Sequence, residues 1–134
     1  MGIDYGTKRV GIATTDPLKI IASALETVPT GQALDFLADY LSREEVEKIV
    51  VGLPLYPDGN PAQIAPLVSV FVKKLKELFP SAEVITWDER YTSEEAKRII
   101  VQSGARKKQR RDKSLVDKIS AALILEEYLK VNLW

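Results

Sequence analysis

The segment GIDYGTKRVGIA, residues 2–13, decides the fold, because two short apolar stretches flank a turn and one acid stands inside the first of them. Residues 2–5 have the pattern of a β-strand, residues 6–8 of a turn, and residues 9–13 of the returning strand. An ionised carboxylate in such a strand is costly unless a partner compensates it, and a metal ion is one such partner. The alternative is that Asp4 caps the hairpin turn through its side chain. This segment alone favours neither interpretation.

Beyond the hairpin, strand patterns alternate with helix patterns. Residues 20–28 are predicted to form a third strand, the continuous apolar run 48–53 a fourth, and residues 83–87 a fifth. The first three strands have connections that allow only antiparallel pairing, whereas later strands are separated by helices and are expected to be parallel. The prediction is an α/β fold with a mixed five-stranded sheet and helices on both faces, a layout similar to the ribonuclease H-like fold.

Four main helices complete this prediction, each with sequence signals at an end. Ser42 and Glu45 form a possible capping box for one further turn after the first helix, and Asn60 and Pro61 are the expected start of the second. The predicted spans run from residue 30 to about 41, from 61 to about 80, from 92 to 103 and from 114 to about 130.

Composition restricts the chemistry that the chain can perform. Its 134 residues predict one domain over residues 1–134, and they include no cysteine and no histidine. Thiol chemistry, histidine acid–base catalysis and most zinc sites are thereby excluded, which leaves carboxylates, hydroxyls, lysines or a hard metal held by oxygen ligands. No apolar run approaches a membrane span and no signal peptide precedes the first strand, so we predict a cytoplasmic protein without a membrane partner.

A basic segment breaks the neutral charge balance of the chain. The ten residues 104–113, GARKKQRRDK, contain six lysines or arginines and one acid, so the rest of the chain is net acidic. A basic loop on an acidic body predicts a local contact with a polyanion such as nucleic acid, although a solvated or disordered loop would have the same composition. The residues expected to follow a sugar–phosphate backbone without reading its sequence are Arg106, Lys107, Lys108, Arg110 and Arg111.

Three acids stand at the ends of predicted elements or in apolar surroundings: Asp4, Glu89 and Asp117. Carboxylates from strand ends and a helix start can converge on one or two Mg²⁺ or Mn²⁺ ions, which activate water and stabilise both oxygens of a phosphodiester displacement. Each acid has an alternative. Asp117 follows Ser114 by three residues and could complete a capping box, and Glu89 could pair with a neighbouring arginine on the surface. Asp16 and Asp58 adjoin turn residues and are better explained by turn formation.

The first turn carries further candidates for substrate contact. Thr7, Lys8 and Arg9 are predicted to approach a phosphate, helped by the Gly6 backbone. The same three residues would also suit an ordinary hairpin without any ligand. Arg90, beside Glu89, joins this group as a predicted nucleic-acid contact.

Four motifs in order resemble one family. They are DYGTKRVG at 4–11, VVGLPL at 50–55 followed by Asp58-Gly59, WDERYT at 87–92, and VDKISAA at 116–122, which is similar to VDKIAA. Together they resemble the YqgF/RuvX family of Holliday-junction resolvases, also described as pre-16S rRNA nucleases. The resemblance implies a ribonuclease H-like fold related to RuvC and metal-dependent phosphodiester hydrolysis. It also implies that Asp4, Glu89 and Asp117 are the catalytic acids and that Arg9 contacts phosphate.

We therefore predict a Mg²⁺- or Mn²⁺-dependent endonuclease that acts on structured RNA, with maturation of the 16S rRNA 5′ end as the family's bacterial role. Branched DNA is the alternative substrate. Two other classes fit parts of the sequence: ATP-dependent phosphotransfer, whose phosphate loop shares the D-x-G-T pattern, and a non-catalytic RNA-binding module for ribosome assembly. Metal-dependent cleavage separates the nuclease from the binding module. The sequence leaves the oligomeric state open.

Overall fold

The structure, a computed structural model, describes residues 1–16, 21–53, 63–88 and 113–132. Within these ranges the chain forms five strands and three α-helices, and a short 3₁₀ helix at Thr30–Gln32 precedes the first of the three. The strands are β1 (Gly2–Tyr5), β2 (Arg9–Thr15), β3 (Ala22–Pro29), β4 (Lys48–Leu53) and β5 (Glu83–Asp88), and the helices are α1 (Ala33–Arg43), α2 (Ala65–Leu78) and α3 (Lys113–Asn132).

The five strands form one mixed sheet in the order β3-β2-β1-β4-β5. The hairpin β1–β2 and the pair β2–β3 are antiparallel, whereas β4 pairs in parallel with both β1 and β5. The predicted α/β class and the mixed pairing are therefore confirmed, and the arrangement is ribonuclease H-like. Because β1, β4 and β5 run in the same direction, their carboxyl ends meet at one edge, where α/β proteins commonly bind ligands.

Two predicted helix boundaries change in the structure. The further turn after α1 does not form, since Glu44 is extended and the Ser42 hydroxyl donates back to the Asp39 carbonyl oxygen at 2.6 Å. Gln63 and Ile64 form a turn, so α2 begins at Ala65. The predicted starts at Asn60 and Pro61 and the predicted helix over 92–103 lie outside the described residues.

One face of the sheet is covered by α1 and α2 and is filled with large apolar side chains. Ile3 of β1, Ile12 of β2 and Ile49 of β4 are fully buried there, as are Leu37 of α1 and Leu75 of α2. Both helices present an apolar stripe to the sheet and a polar face to solvent. This face supplies the larger of the hydrophobic clusters.

The opposite face is covered by α3. Ala13 and Val50 of the sheet pack against Ala121, Ile124 and Leu125 of this helix. Val116 and Leu123 of α3 are also buried, in a separate small cluster with Leu115 and Ile119. Being buried around most of its circumference, α3 has no strong apolar stripe, as expected for a core helix. No helix in the described part of the chain is long and apolar enough to cross a membrane.

Candidate active site

Asp4 lies in a row of residues that crosses the sheet on the face covered by α3. It pairs with Gly11 of β2, and directly paired residues present their side chains on the same face. On its other side, β1 pairs with β4, and Gly2 is opposite Val50. Two residues further along each strand, Asp4 is therefore level with Gly52. Gly52 in turn pairs with Trp87 of β5. We call Asp4, Gly11, Gly52 and Trp87 the Asp4 row. In it, the half-buried Asp4 stands between two glycines, neither of which has a side chain.

The backbone of α3 touches the sheet at this row. A Cβ atom added to Gly11 would collide with the Asp117 carbonyl oxygen, far inside the 3.0 Å that real Cβ contacts respect. At the other end of β1, a Cβ atom on Gly2 would lie 2.6 Å from the Ala121 carbonyl oxygen. Only glycine permits these approaches. Consequently α3 runs antiparallel to β1, and its Asp117 end lies over the Asp4 row.

Arg9 joins β2 to α3 through a charged hydrogen bond. Its Nε donates to Asp117 Oδ2 at 2.8 Å, across 108 residues of sequence. The two side chains are 35% and 24% exposed, and an ion pair so accessible to water contributes little to stability, at most about 1 kcal/mol. Its main consequence is positional, because a charged hydrogen bond fixes the direction of the Asp117 carboxylate.

The turn between β1 and β2 is held from outside by Thr30, which follows β3. The Thr30 hydroxyl donates to the Gly6 carbonyl oxygen at 2.7 Å, and the Thr30 amide donates to the Lys8 carbonyl oxygen at 3.0 Å. These two bonds fix both ends of the turn. Thr7 and Lys8 are exposed on it, as a contact with phosphate would require.

The structure thus brings together some of the predicted site residues and leaves others undescribed. Asp4, Arg9 and Asp117 lie on one face, with Thr7 and Lys8 on the adjoining turn. Among the described residues, no group of three or more acids is close enough to hold a metal ion. The remaining predicted residues lie outside the described ranges: Glu89, Arg90, Arg106, Lys107, Lys108, Arg110 and Arg111.

Two of the alternatives to a catalytic role are also tested. Asp16 has the expected turn function, since its Oδ1 accepts the Ile21 amide at 2.8 Å. The capping alternative for Asp117 is wrong in its location: α3 begins at Lys113, its first turn contains no acid, and the Asp117 carboxylate accepts from Arg9 instead. Asp117 is therefore the fifth residue of the helix, two positions further in than the sequence predicts.

A cleft of about 500 Å³ lies at the opposite end of the sheet. It adjoins the amino ends of β1 and β4, and neither Asp4 nor Asp117 lines it. Its lining includes four acids, which would repel a phosphate backbone: Asp16, Glu44, Glu45 and Glu47. This cleft is therefore separate from the candidate active site.

Sequence reasoning missed the role of Thr30. Its bonds join positions 22 and 24 residues apart, and no local pattern reveals such a contact. It missed likewise that Gly11 is needed for the approach of α3. The only signal was the spacing of Gly11 after Asp4 in a hairpin, which makes the two residues cross-strand neighbours.

Comparison with known proteins gives a consistent result. The family model RuvX, described as Holliday junction resolvase, matches residues 1–131. A Porphyromonas gingivalis protein named "Putative pre-16S rRNA nuclease" is 50% identical over 129 residues, which cover 96% of this chain and 94% of that protein. Relatives of the same name from Flavobacterium johnsoniae and Bacteroides fragilis are 46% and 44% identical over 96% and 98% of this chain, and 94% and 96% of their own lengths. The family resemblance of the sequence is confirmed, and the chain belongs to the RuvX family.

Proposed function

We propose that the chain is a cytoplasmic endonuclease that hydrolyses phosphodiester bonds in structured RNA and matures the 5′ end of pre-16S rRNA with the help of Mg²⁺ or Mn²⁺. Membership of the RuvX family and the name shared by its relatives support the nuclease class. The observation that carries the proposal is the contact of α3 with Gly11, which brings Asp117 over the sheet row that contains Asp4.

The donor atoms at this site suit a hard divalent cation. Asp4 and Asp117 offer carboxylate oxygens, and neither histidine nor cysteine exists in the chain to favour a softer metal. We propose Asp4, Asp117 and Glu89 as the residues that hold the cation. When bound, such a cation would lower the pKa of a water molecule and stabilise the charge that develops on the phosphate.

The described residues have separate tasks in this proposal. Arg9 holds the Asp117 carboxylate in place and adds positive charge beside the phosphate. Thr7 and Lys8, on the turn held by Thr30, contact the backbone next to the cleaved bond. The basic segment at 104–113 contacts the RNA backbone, with an affinity that falls as salt rises.

Cleavage assays with two substrates test the proposal. A 5′-extended 16S rRNA fragment and a four-way DNA junction are incubated with Mn²⁺, with Mg²⁺ and with chelator, using wild type and Asp4→Asn. Asp35→Asn, an exposed acid on α1, is the matched control. We expect RNA cleavage that needs a divalent cation, survives in Asp35→Asn and falls by at least about 10³-fold in Asp4→Asn.

Holliday-junction resolution is the second candidate, because the matching family model has that description. Cleavage of the DNA junction with RNA left intact would favour it over rRNA processing. Binding of RNA by wild type and by Asp4→Asn, without cleavage under any condition, would overturn the nuclease and favour an assembly module.

A further inference from the structure

Ser120 of α3 is the one polar residue among the fully buried side chains of the described residues. Its Oγ has no hydrogen-bond partner within the part of the chain that the structure describes. A buried hydroxyl without a partner is destabilising, and alanine at this position would avoid the cost and favour the helix. Buried polar groups almost always have partners, so this exception requires an explanation.

Tyr128, two turns after Ser120 on α3, shows which strands this side of the helix faces. The Tyr128 ring lies edge-on to Trp87, with ring centroids 5.6 Å apart, and its hydroxyl lies 3.4 Å from Lys48 Nζ. This flank of α3 therefore faces β4 and β5. Residues four and eight positions earlier share the flank, so Ile124 and Ser120 face the same two strands.

The position of Ser120 along the strands follows from the direction of α3. Eight helical residues span about 12 Å, which equals about four residues of a strand. Because α3 runs antiparallel to β1, and β4 is parallel to β1, the step from Tyr128 back to Ser120 leads from Lys48 toward Gly52. Ser120 is thereby placed over the Asp4 row, at the point where Gly52 contributes no side chain.

We propose that Ser120 is a positioning residue for the divalent cation held at Asp4 and Asp117. Its hydroxyl finds its acceptor in the Asp4 carboxylate when that cation binds, and it orients the carboxylate toward the cation. The inference rests on the proposed function. Hydrogen bonds to ligating carboxylates keep them in one orientation, and their loss typically weakens metal affinity 10- to 100-fold. The hydroxyl is thus costly in the free protein and useful in the loaded one.

This interpretation predicts effects of opposite sign for one substitution. Ser120→Ala in the full chain removes the unpaired hydroxyl, so the Tm without metal is expected to rise by about 2–4 °C. The affinity for Mn²⁺, measured by calorimetry and by the Tm shift on adding Mn²⁺, is expected to fall about tenfold. Ser69→Ala, the same change on the exposed face of α2, is the control and is expected to leave Mn²⁺ affinity unchanged.

A second variant separates hydrogen bonding from packing. Ser120→Cys keeps nearly the same volume and lacks a strong donor, and a thiol is a poor ligand for Mn²⁺. It is expected to weaken Mn²⁺ binding as Ser120→Ala does. Equal Mn²⁺ affinity in wild type and both variants would overturn the role of Ser120, as would a lower Tm in metal-free Ser120→Ala. Absence of Mn²⁺ binding in wild type would instead overturn the proposed cation site itself.

Discussion

The two faces of the sheet are built from different kinds of residue. The face under α1 and α2 presents Ile3, Val10 and Ile12, and all three are fully buried in an apolar cluster. The same two strands present small or charged residues to α3 at the positions in between: Gly2, Asp4, Arg9, Gly11 and Ala13. A single hairpin therefore supplies both a core and a candidate active site, through the alternation of side chains along each strand.

This difference shows how close packing can serve function instead of stability alone. Large side chains between a helix and a sheet hold them about 10 Å apart, whereas glycine lets the backbones touch. The contact of Gly11 with the Asp117 backbone brings the Asp117 end of α3 onto the row of the sheet that contains Asp4. On the face under α1 and α2, glycines would also let the helices approach the sheet closely. They would, however, replace large apolar side chains and so reduce the apolar area that folding buries.

The largest effect is expected from replacing Gly11, the glycine that α3 contacts. In Gly11→Ala the new Cβ would meet the Asp117 carbonyl group, so α3 must move away from the sheet. We expect a loss of at least about 3 kcal/mol in the free energy of unfolding and a loss of about 10²-fold in cleavage rate, because Asp117 moves away from Asp4. Urea unfolding and rRNA cleavage under conditions where the variant stays folded measure the two effects.

Val10→Ile is the matched control on the other face, since it also adds carbon to a fully buried position of β2. It is expected to lose about 1–3 kcal/mol of stability while the cleavage rate of the folded protein stays at the wild-type value. Equal losses of rate in both variants would contradict the division of labour between the two faces.

A smaller effect is expected from the charge of the Met1 amino group, which lies beside the face covered by α1 and α2. The Met1 side chain belongs to that cluster, and its amino group donates to the Lys48 carbonyl oxygen at 3.0 Å. Burial disfavours the charged amine and lowers its pKa from 8.0 to about 6. Folding therefore favours the neutral amine. We expect the free energy of unfolding to rise by about 2–3 kcal/mol as the pH rises from 6 to 8, because below pH 6 the buried amine is charged at full cost.

The chain is well suited to this measurement. It contains no histidine and no cysteine, so no side chain with an ordinary pKa titrates between pH 6 and pH 8. Urea midpoints at closely spaced pH values in this window report the amine. A midpoint that stays constant from pH 6 to pH 8 would show that the amine is not buried in its charged form.

The smallest effect concerns the turn beside the α3 face. Thr30→Val keeps the side-chain shape and removes the hydroxyl bond to the Gly6 carbonyl oxygen. We expect a loss of about 1 kcal/mol in stability and a few-fold weaker RNA binding, since Thr7 and Lys8 are less well oriented. Filter binding and single-turnover cleavage separate affinity from rate, and the rate is expected to change little.

Thr30→Ser retains the hydroxyl and is expected to restore RNA affinity. If Thr30→Val bound RNA as wild type does while losing the same stability, the bond would serve the fold alone. The turn would then be an ordinary hairpin, which is the alternative that the sequence left open for Thr7 and Lys8.

Much of the fold was predictable from local patterns. The hairpin, the apolar run of β4 and the helical spacing of α2 each lie within a short window, and periodicity reports such elements directly. Helix ends were less predictable, because Ser42 has the residue types of a cap yet bonds back to Asp39. Its hydroxyl donates to a carbonyl oxygen of its own helix, and sequence does not show which carbonyl is within reach.

Within the site, the sequence by itself determined which residues have suitable chemistry. Asp4 and Asp117 stood out by their charge in apolar or helical settings, and Arg9 by its motif. Only the tertiary structure decided their relations: Gly11 admits the α3 backbone, Arg9 bonds to Asp117, and Thr30 holds the turn. These contacts join residues 22 to 108 positions apart. They depend on how the elements pack, because local sequence determines the conformation of each element and leaves the distance between elements to the side chains that meet at their interface.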